Sequence, residues 1–186
     1  MPGIADKSTQ SAQATLRAGY DDVRGTGMID PSQSLIFPAL GSIYQCLAPW
    51  AEAALRAVVG LWLVPHGLRN TFGFFPSTGV RSNSIPALAA QLDRDGYRPG
   101  KLWAPAISVL QLVGGPMLAL GLFTRPAAFA ILMFLLVTNI ERWRVGKYFW
   151  NQLGLEYTVM WTVAAFYFLV VGGGRISLDH LIGRAF

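Results

Sequence analysis

The chain has 186 residues, of which 53% are hydrophobic and 13% are charged, and its formal net charge is +5. Soluble domains carry about 25% charged residues, so the composition argues against a water-soluble protein. The basic residues form no run, which argues against a nucleic-acid-binding protein. The single cysteine, Cys46, allows no thiol pair and no cysteine-ligated iron–sulfur centre, and the two histidines lie far apart. We therefore expect no metal site and no covalently bound cofactor.

Residues 1–50 are interpreted as an N-terminal extension. Residues 1–34 are polar and predict a tail that is disordered or bound to a partner. Residues 35–50 are more apolar but contain Pro38, Gly41 and Pro49. We expect this stretch to be too short and interrupted to cross a membrane, and to lie at the membrane surface.

Residues 51–174 contain four long stretches that are almost free of charge. Because about 20 apolar residues in a helix cross the hydrocarbon core, we predict an all-α, integral membrane four-helix transmembrane bundle with interfacial segments. The predicted helices cover about 52–72, 102–122, 126–143 and 154–171. Pro65 predicts a kink in the first helix. Ile85–Leu92 predicts a short amphipathic or re-entrant helix, and residues 175–186 predict a short amphipathic tail whose helix is capped by Ser177.

Basic residues are more frequent near the loops after the first and third predicted helices than at the opposite side. The positive-inside rule therefore places these two loops in the cytoplasm and both termini outside.

Ionisable groups at membrane depth are functional candidates by default. In an antiparallel bundle His66, Arg69 and Glu156 fall near the same membrane face, and we treat them as candidate catalytic residues. His and Glu exchange protons near neutral pH, which suits a proton relay or a quinone-headgroup pocket. The alternative is an interfacial salt bridge that fixes helix packing.

Three further side chains are candidates for binding a quinone or pigment, namely Gln111, Tyr157 and Trp161. Gln111 forms a small polar stripe with Ser108 and Gly115, and its amide needs a partner in an apolar span. It either lines the pocket or joins two helices. Tyr157, Trp161 and Phe168 follow helical spacing, as an aromatic wall or as ordinary packing. The glycine pairs Gly60/Gly67 and Gly114/Gly121 each share one helix face and predict close helix contacts.

Four segments together resemble the DoxX family. They are PHGLRNTFG at 65–73, QLVGGPMLALGLFTRPAA at 111–128, LEYTVMW at 155–161 and GGGRISLDHL at 172–181. By this resemblance, His66, Gly67 and Arg69 match an HG-x-K/R motif, Glu156-Tyr157 an EY motif, Arg125 an LFTR motif and Ser177-Leu178-Asp179 a terminal SLD motif. Gln111 stands where the family often has glutamate, and ERWRVGKYFWNQLG replaces a histidine and glycine-rich stretch before the fourth helix.

The resemblance implies a multi-pass protein of the bacterial inner membrane, with lipid and other subunits of a membrane complex as partners. Relatives include the membrane subunit of a thiosulfate:quinone oxidoreductase. The interpretation we favour is an accessory, structural subunit without its own redox centre. The alternatives are a quinone-interacting subunit of an oxidoreductase, with quinone as a cofactor, and a small transporter. A midplane carboxylate, which a transporter needs, is missing from the predicted helices.

Overall fold

The computed structural model describes residues 37, 40–75, 82–152 and 154–183. The chain divides into two units, Met1–Ala51 and Glu52–Phe186, and all packing described below lies within the second. The prediction for residues 1–34 falls outside the described residues. In the described part, every regular element is a helix or a helical turn.

The helices are numbered in chain order. They are α1 (Gly41–Leu61), α2 (Leu63–Phe72), α3 (Ile85–Arg94), α4 (Gly100–Val109), α5 (Gly115–Leu120), α6 (Thr124–Val145), α7 (Leu155–Val171) and α8 (Leu178–Leu181). A π turn, Leu110–Gly114, joins α4 to α5, and a 3₁₀ turn, Trp150–Gln152, precedes α7. Three candidate membrane spans, Gly41–Phe72, Gly100–Leu120 and Thr124–Val145, are long and apolar enough to cross a bilayer, and α7 is a shorter apolar helix.

The first helix begins at Gly41, earlier than the predicted start near residue 52. The interruption expected at Pro49 is wrong, because α1 continues through that residue. A proline inside a helix removes one backbone hydrogen bond without always ending the helix. Near Pro65, the regular helix is interrupted at Trp62, so that α1 ends at Leu61 and α2 begins at Leu63. Pro65 offers no N–H to the carbonyl of Leu61, and its ring crowds that carbonyl.

The other predicted elements agree closely with the observed ones. α6 runs slightly further than predicted at both ends, and α3 forms where the amphipathic segment was expected, capped by the Ser84 hydroxyl. Ser177 caps α8 as predicted, by accepting a hydrogen bond from the His180 amide at 3.1 Å. These helix starts depend on local sequence signals such as a capping serine, which can be recognised without knowledge of the fold.

The core of the second unit lies among all four apolar segments. Val59, Leu118, Ile131 and Phe168 are at most 2% exposed. Large apolar side chains on the outward faces are exposed instead, among them Val109, Val113, Met160, Val163 and Phe166. A water-soluble protein does not expose such continuous apolar surface. The protein is therefore an all-α membrane bundle whose outward faces contact lipid.

Candidate functional site

A buried polar cluster lies at the end of the bundle where α6 begins and α8 packs. Asp179, which is 5% exposed, comes from α8, and Thr124, which is fully buried, opens α6. The Asp179 carboxylate accepts hydrogen bonds from the Phe123 amide at 2.7 Å, the Thr124 amide at 2.8 Å and the Thr124 hydroxyl at 2.6 Å. The first N–H groups of a helix have no partner within it. Asp179 therefore caps α6 from a distant part of the chain.

Arg56 reaches the same end of the bundle from α1 and is 3% exposed. Its guanidinium donates hydrogen bonds to the Gly173 carbonyl, to the Ala119 carbonyl at 3.3 Å and to the Ile176 carbonyl at 2.5 Å. Ala119 lies at the end of α5, where carbonyls have no partner within the helix. Arg56 thereby joins α1 to the end of α5 and to the loop after α7. We call Arg56, Thr124 and Asp179 the end cluster.

Glu52 lies one helical turn before Arg56 and acts on it electrostatically. Its Oε1 atom is buried and has no hydrogen-bond partner among the described residues. A Cβ atom added to Gly174 would lie 2.6 Å from that oxygen, and Gly174 has a φ of +67°. Only glycine fits this position without strain. The glycine loop after α7 therefore closes directly over the Glu52 carboxylate.

The sequence analysis did not foresee the end cluster. Glu52 and Arg56 are spaced one helical turn apart, which predicts only a pair within one helix, and the LFTR and SLD motifs served only as marks of a resemblance. Topology was a usable signal, because in an antiparallel bundle the start of helix one, the start of helix three and the end of helix four meet at one face. Thr124 and Asp179 belong to exactly these ends, although their direct contact needed the fold.

The predicted group of His66, Arg69 and Glu156 lies at the opposite end. His66 is exposed, Arg69 is 7% exposed, and Glu156 is half-buried in the first turn of α7. The charged groups that act most strongly on His66 are the cations Arg69 and Arg142. Among the described residues, no hydrogen bond or ion pair joins His66 to Glu156. Their role in catalysis stays a prediction.

Gln111 lies in the π turn and is 4% exposed. Its side-chain oxygen accepts a hydrogen bond from the Asn70 amide at 3.0 Å, and Asn70 is 6% exposed. The partner that the sequence required for Gln111 is therefore Asn70 on α2, which the sequence analysis did not single out. Ser108, one turn earlier on the same helix face, is also buried. This amide pair links the first two spans.

The expected aromatic wall is only partly continuous. The rings of Tyr157 and Trp161 meet edge to face with centroids 5.6 Å apart, and Trp161 also contacts Trp62 at 5.5 Å. Phe168 is fully buried in the core and takes no part in an open surface. Trp62 and Tyr157 are exposed by 54% and 39%. The three rings form one aromatic group that joins Trp62, between α1 and α2, to α7.

Tyr97, in the connection between α3 and α4, donates a 2.6 Å hydrogen bond to Glu141 on α6. This bond, with some burial, raises the pKa of the Tyr97 phenol above its usual value. A raised pKa means that the bond stabilises the fold below about pH 10 and that this contribution is lost as the pH rises through the folded-state pKa.

We expect Glu141→Gln to return the Tyr97 pKa towards its usual value. Ultraviolet titration of phenolate absorbance, with Tyr97→Phe identifying the Tyr97 signal, measures this; an unchanged titration contradicts it.

Comparison with protein families bears on these motifs. The DoxX family model matches residues 51–141. The chain therefore carries a DoxX domain. The match includes the HG-x-K/R and LFTR segments, while the EY and SLD segments lie beyond it. No curated protein and no solved structure matches the chain. Its fold and family together make it a multi-pass membrane protein of DoxX type.

Proposed function

We propose that this DoxX protein is an accessory subunit of a larger complex in the bacterial inner membrane, with a structural role and no redox centre of its own. The observation that carries the proposal is that the side chains of the end cluster hydrogen-bond to other parts of the same chain. Asp179 accepts three hydrogen bonds from the start of α6, and Arg56 donates to three backbone carbonyls. Groups committed to backbone in this way hold helix ends together and are not free to bind substrate.

The outward faces supply the second support for an accessory role. Side chains such as Val163 and Phe166 on α7 and Val109 and Val113 on α4 and the π turn point away from the core and are more than half exposed. Helices in membranes associate by packing of complementary surfaces. A bundle with a rigid end and wide apolar faces suits a scaffold against which the helices of other subunits pack.

A second candidate is a quinone-interacting subunit, favoured by the aromatic group of Trp62, Trp161 and Tyr157 and by the buried amides of Asn70 and Gln111. Flat rings suit a quinone ring, and amides suit its carbonyl oxygens. His66 and Glu156 would then move the protons, Arg69 would stay protonated beside them, and electrons would arrive from a partner subunit.

The two candidates are separated by three variants of the intact complex, purified in mild detergent. We expect His66→Ala and Glu156→Gln to leave both the mass of the complex and its rate of quinone reduction within about twofold of wild type. We expect Asp179→Asn to reduce the amount of assembled complex, because part of the cap at the start of α6 is lost. Native electrophoresis measures assembly, and quinone absorbance measures the rate.

A proton-transferring residue contributes about 10²–10⁴-fold to a rate. A loss of that size in His66→Ala or Glu156→Gln, with assembly intact, would favour the quinone-interacting subunit. A wild-type chain that purifies as a single polypeptide, from membranes where it is expressed naturally, would contradict the accessory role.

A further inference from the structure

The end of α6 and the loop that follows it carry a mixed basic and aromatic surface that the proposed function does not use. Its six residues are Arg142, Trp143, Arg144, Lys147, Tyr148 and Phe149. We call it the α6–α7 patch. Trp143 is 75% exposed, and Tyr148 and Phe149 are each 62% exposed. Large rings this exposed beside the end of an apolar span are typical of the membrane–water interface.

The backbone of the α6–α7 patch is held against the start of α7. The amides of Gly154, Leu155 and Glu156 each donate a 3.0 Å hydrogen bond to a carbonyl of this loop, namely those of Phe149, Lys147 and Tyr148. The Tyr148 and Phe149 rings also meet edge to face at 5.5 Å. The loop carbonyls therefore satisfy the helix start, and the side chains project from an ordered backbone.

The charge of the patch is positive, and the neighbouring acid, Glu141, is already engaged. Glu141 Oε1 accepts from Tyr97 at 2.6 Å and from Arg144 at 2.8 Å. The next acid along the chain, Glu156, is half-buried. The Arg144 side chain remains 60% exposed although it holds Glu141, and Lys147 is exposed. A guanidinium has five N–H donors, so Arg144 can bind a second anion through the others.

We propose that the α6–α7 patch binds the headgroup of an anionic phospholipid. Arg144 and Lys147 contact the phosphate, and the Trp143, Tyr148 and Phe149 rings lie at the level of the glycerol and upper acyl chains. The argument for lipid as the occupant is charge complementarity together with place, since the patch adjoins the end of the Thr124–Val145 span. The positive-inside rule predicts that this loop lies on the cytoplasmic side, where the leaflet is anionic.

The test uses the full chain in a neutral detergent, with phosphatidylglycerol and phosphatidylcholine of identical acyl chains and native mass spectrometry as the readout. We expect the wild type to retain phosphatidylglycerol in preference to phosphatidylcholine. Each basic residue near an anionic surface contributes about fivefold in affinity. Arg144→Gln with Lys147→Gln is therefore expected to weaken phosphatidylglycerol binding about 25-fold, whereas Arg144→Lys with Lys147→Arg retains it.

Arg175→Gln is the matched control, because Arg175 is exposed and lies at the opposite end of the bundle. It should leave lipid binding unchanged. The proposal is overturned if the Gln double variant binds phosphatidylglycerol as the wild type does, if Arg175→Gln weakens binding equally, or if the wild type shows no preference between the lipids. Displacement of phosphatidylglycerol by inorganic phosphate at equal concentration would also overturn it, as evidence for a simple anion site.

Discussion

Asp179→Asn is expected to lower the midpoint of thermal unfolding in detergent by about 6–12 °C. The variant has nearly the same shape, but its amide nitrogen cannot accept a hydrogen bond. At least one N–H group of Phe123 or Thr124 then faces the side-chain NH₂ group of the new asparagine in a buried site. Loss of a buried charge that accepts three hydrogen bonds costs about 3 kcal/mol, and each kcal/mol corresponds to about 2–4 °C in a chain of this size.

Two further variants test whether this loss is specific to the end cluster. Asp95→Asn removes an exposed acid and should leave the midpoint unchanged. Thr124→Val removes only the hydroxyl donor to Asp179 and keeps the backbone donor, so we expect a smaller decrease than in Asp179→Asn. An Asp179→Asn protein that melts with the wild type would show that the carboxylate does not hold the start of α6.

Gly115→Ala is expected to destabilise the bundle by about 1–3 kcal/mol, because it overpacks the closest helix contact. A Cβ on Gly115 would lie 2.6 Å from the Gly60 carbonyl oxygen, and a Cβ on Gly60 would lie 2.3 Å from the Gly115 carbonyl oxygen. Both obstacles are backbone atoms, which cannot rotate out of the way. Unfolding by sodium dodecyl sulfate in mixed micelles, followed by helical circular dichroism, measures the loss.

The neighbouring glycine provides a control with the same chemical change. A Cβ on Gly114 would meet Leu110 Cδ1 at 2.9 Å, and this atom is the far end of a flexible side chain. Gly114→Ala should therefore cost much less than Gly115→Ala, since Leu110 can move to another rotamer. Equal losses in the two variants would contradict the close contact between the helices at Gly60 and Gly115.

The sequence predicted the apolar spans well, because crossing a hydrocarbon layer demands length and absence of charge from each segment by itself. The caps at Ser84 and Ser177 and the helix break before Pro65 depend on a few neighbouring residues, so they are predictable from sequence. The Ser84 cap was nevertheless not among the predictions. The predicted start of α1 was wrong, because a proline such as Pro49 does not by itself determine whether the helix around it continues or ends.

The close glycine contact shows why register was harder to predict. Heptad spacing indicated Gly114 as a contact residue, whereas Gly115 meets Gly60. The π turn adds a residue to one turn, with the Gly115 amide bonding the Leu110 carbonyl, and one residue corresponds to about 100° of rotation in a helix. Pro116 explains this local change, because it offers no N–H to the carbonyl of Leu112.

The partners of Arg56 have a consequence for how the protein is made. Its acceptors Gly173 and Ile176 lie 117 and 120 residues further along the chain, so they leave the ribosome long after α1 has been inserted. Until then the guanidinium stands beside a hydrocarbon layer that disfavours charge. Final closure of the bundle must therefore wait for the last segment of the nascent chain. In a polypeptide truncated before Gly173, Arg56 would lack these acceptors, and the insertion machinery and membrane proteases would encounter an unclosed bundle.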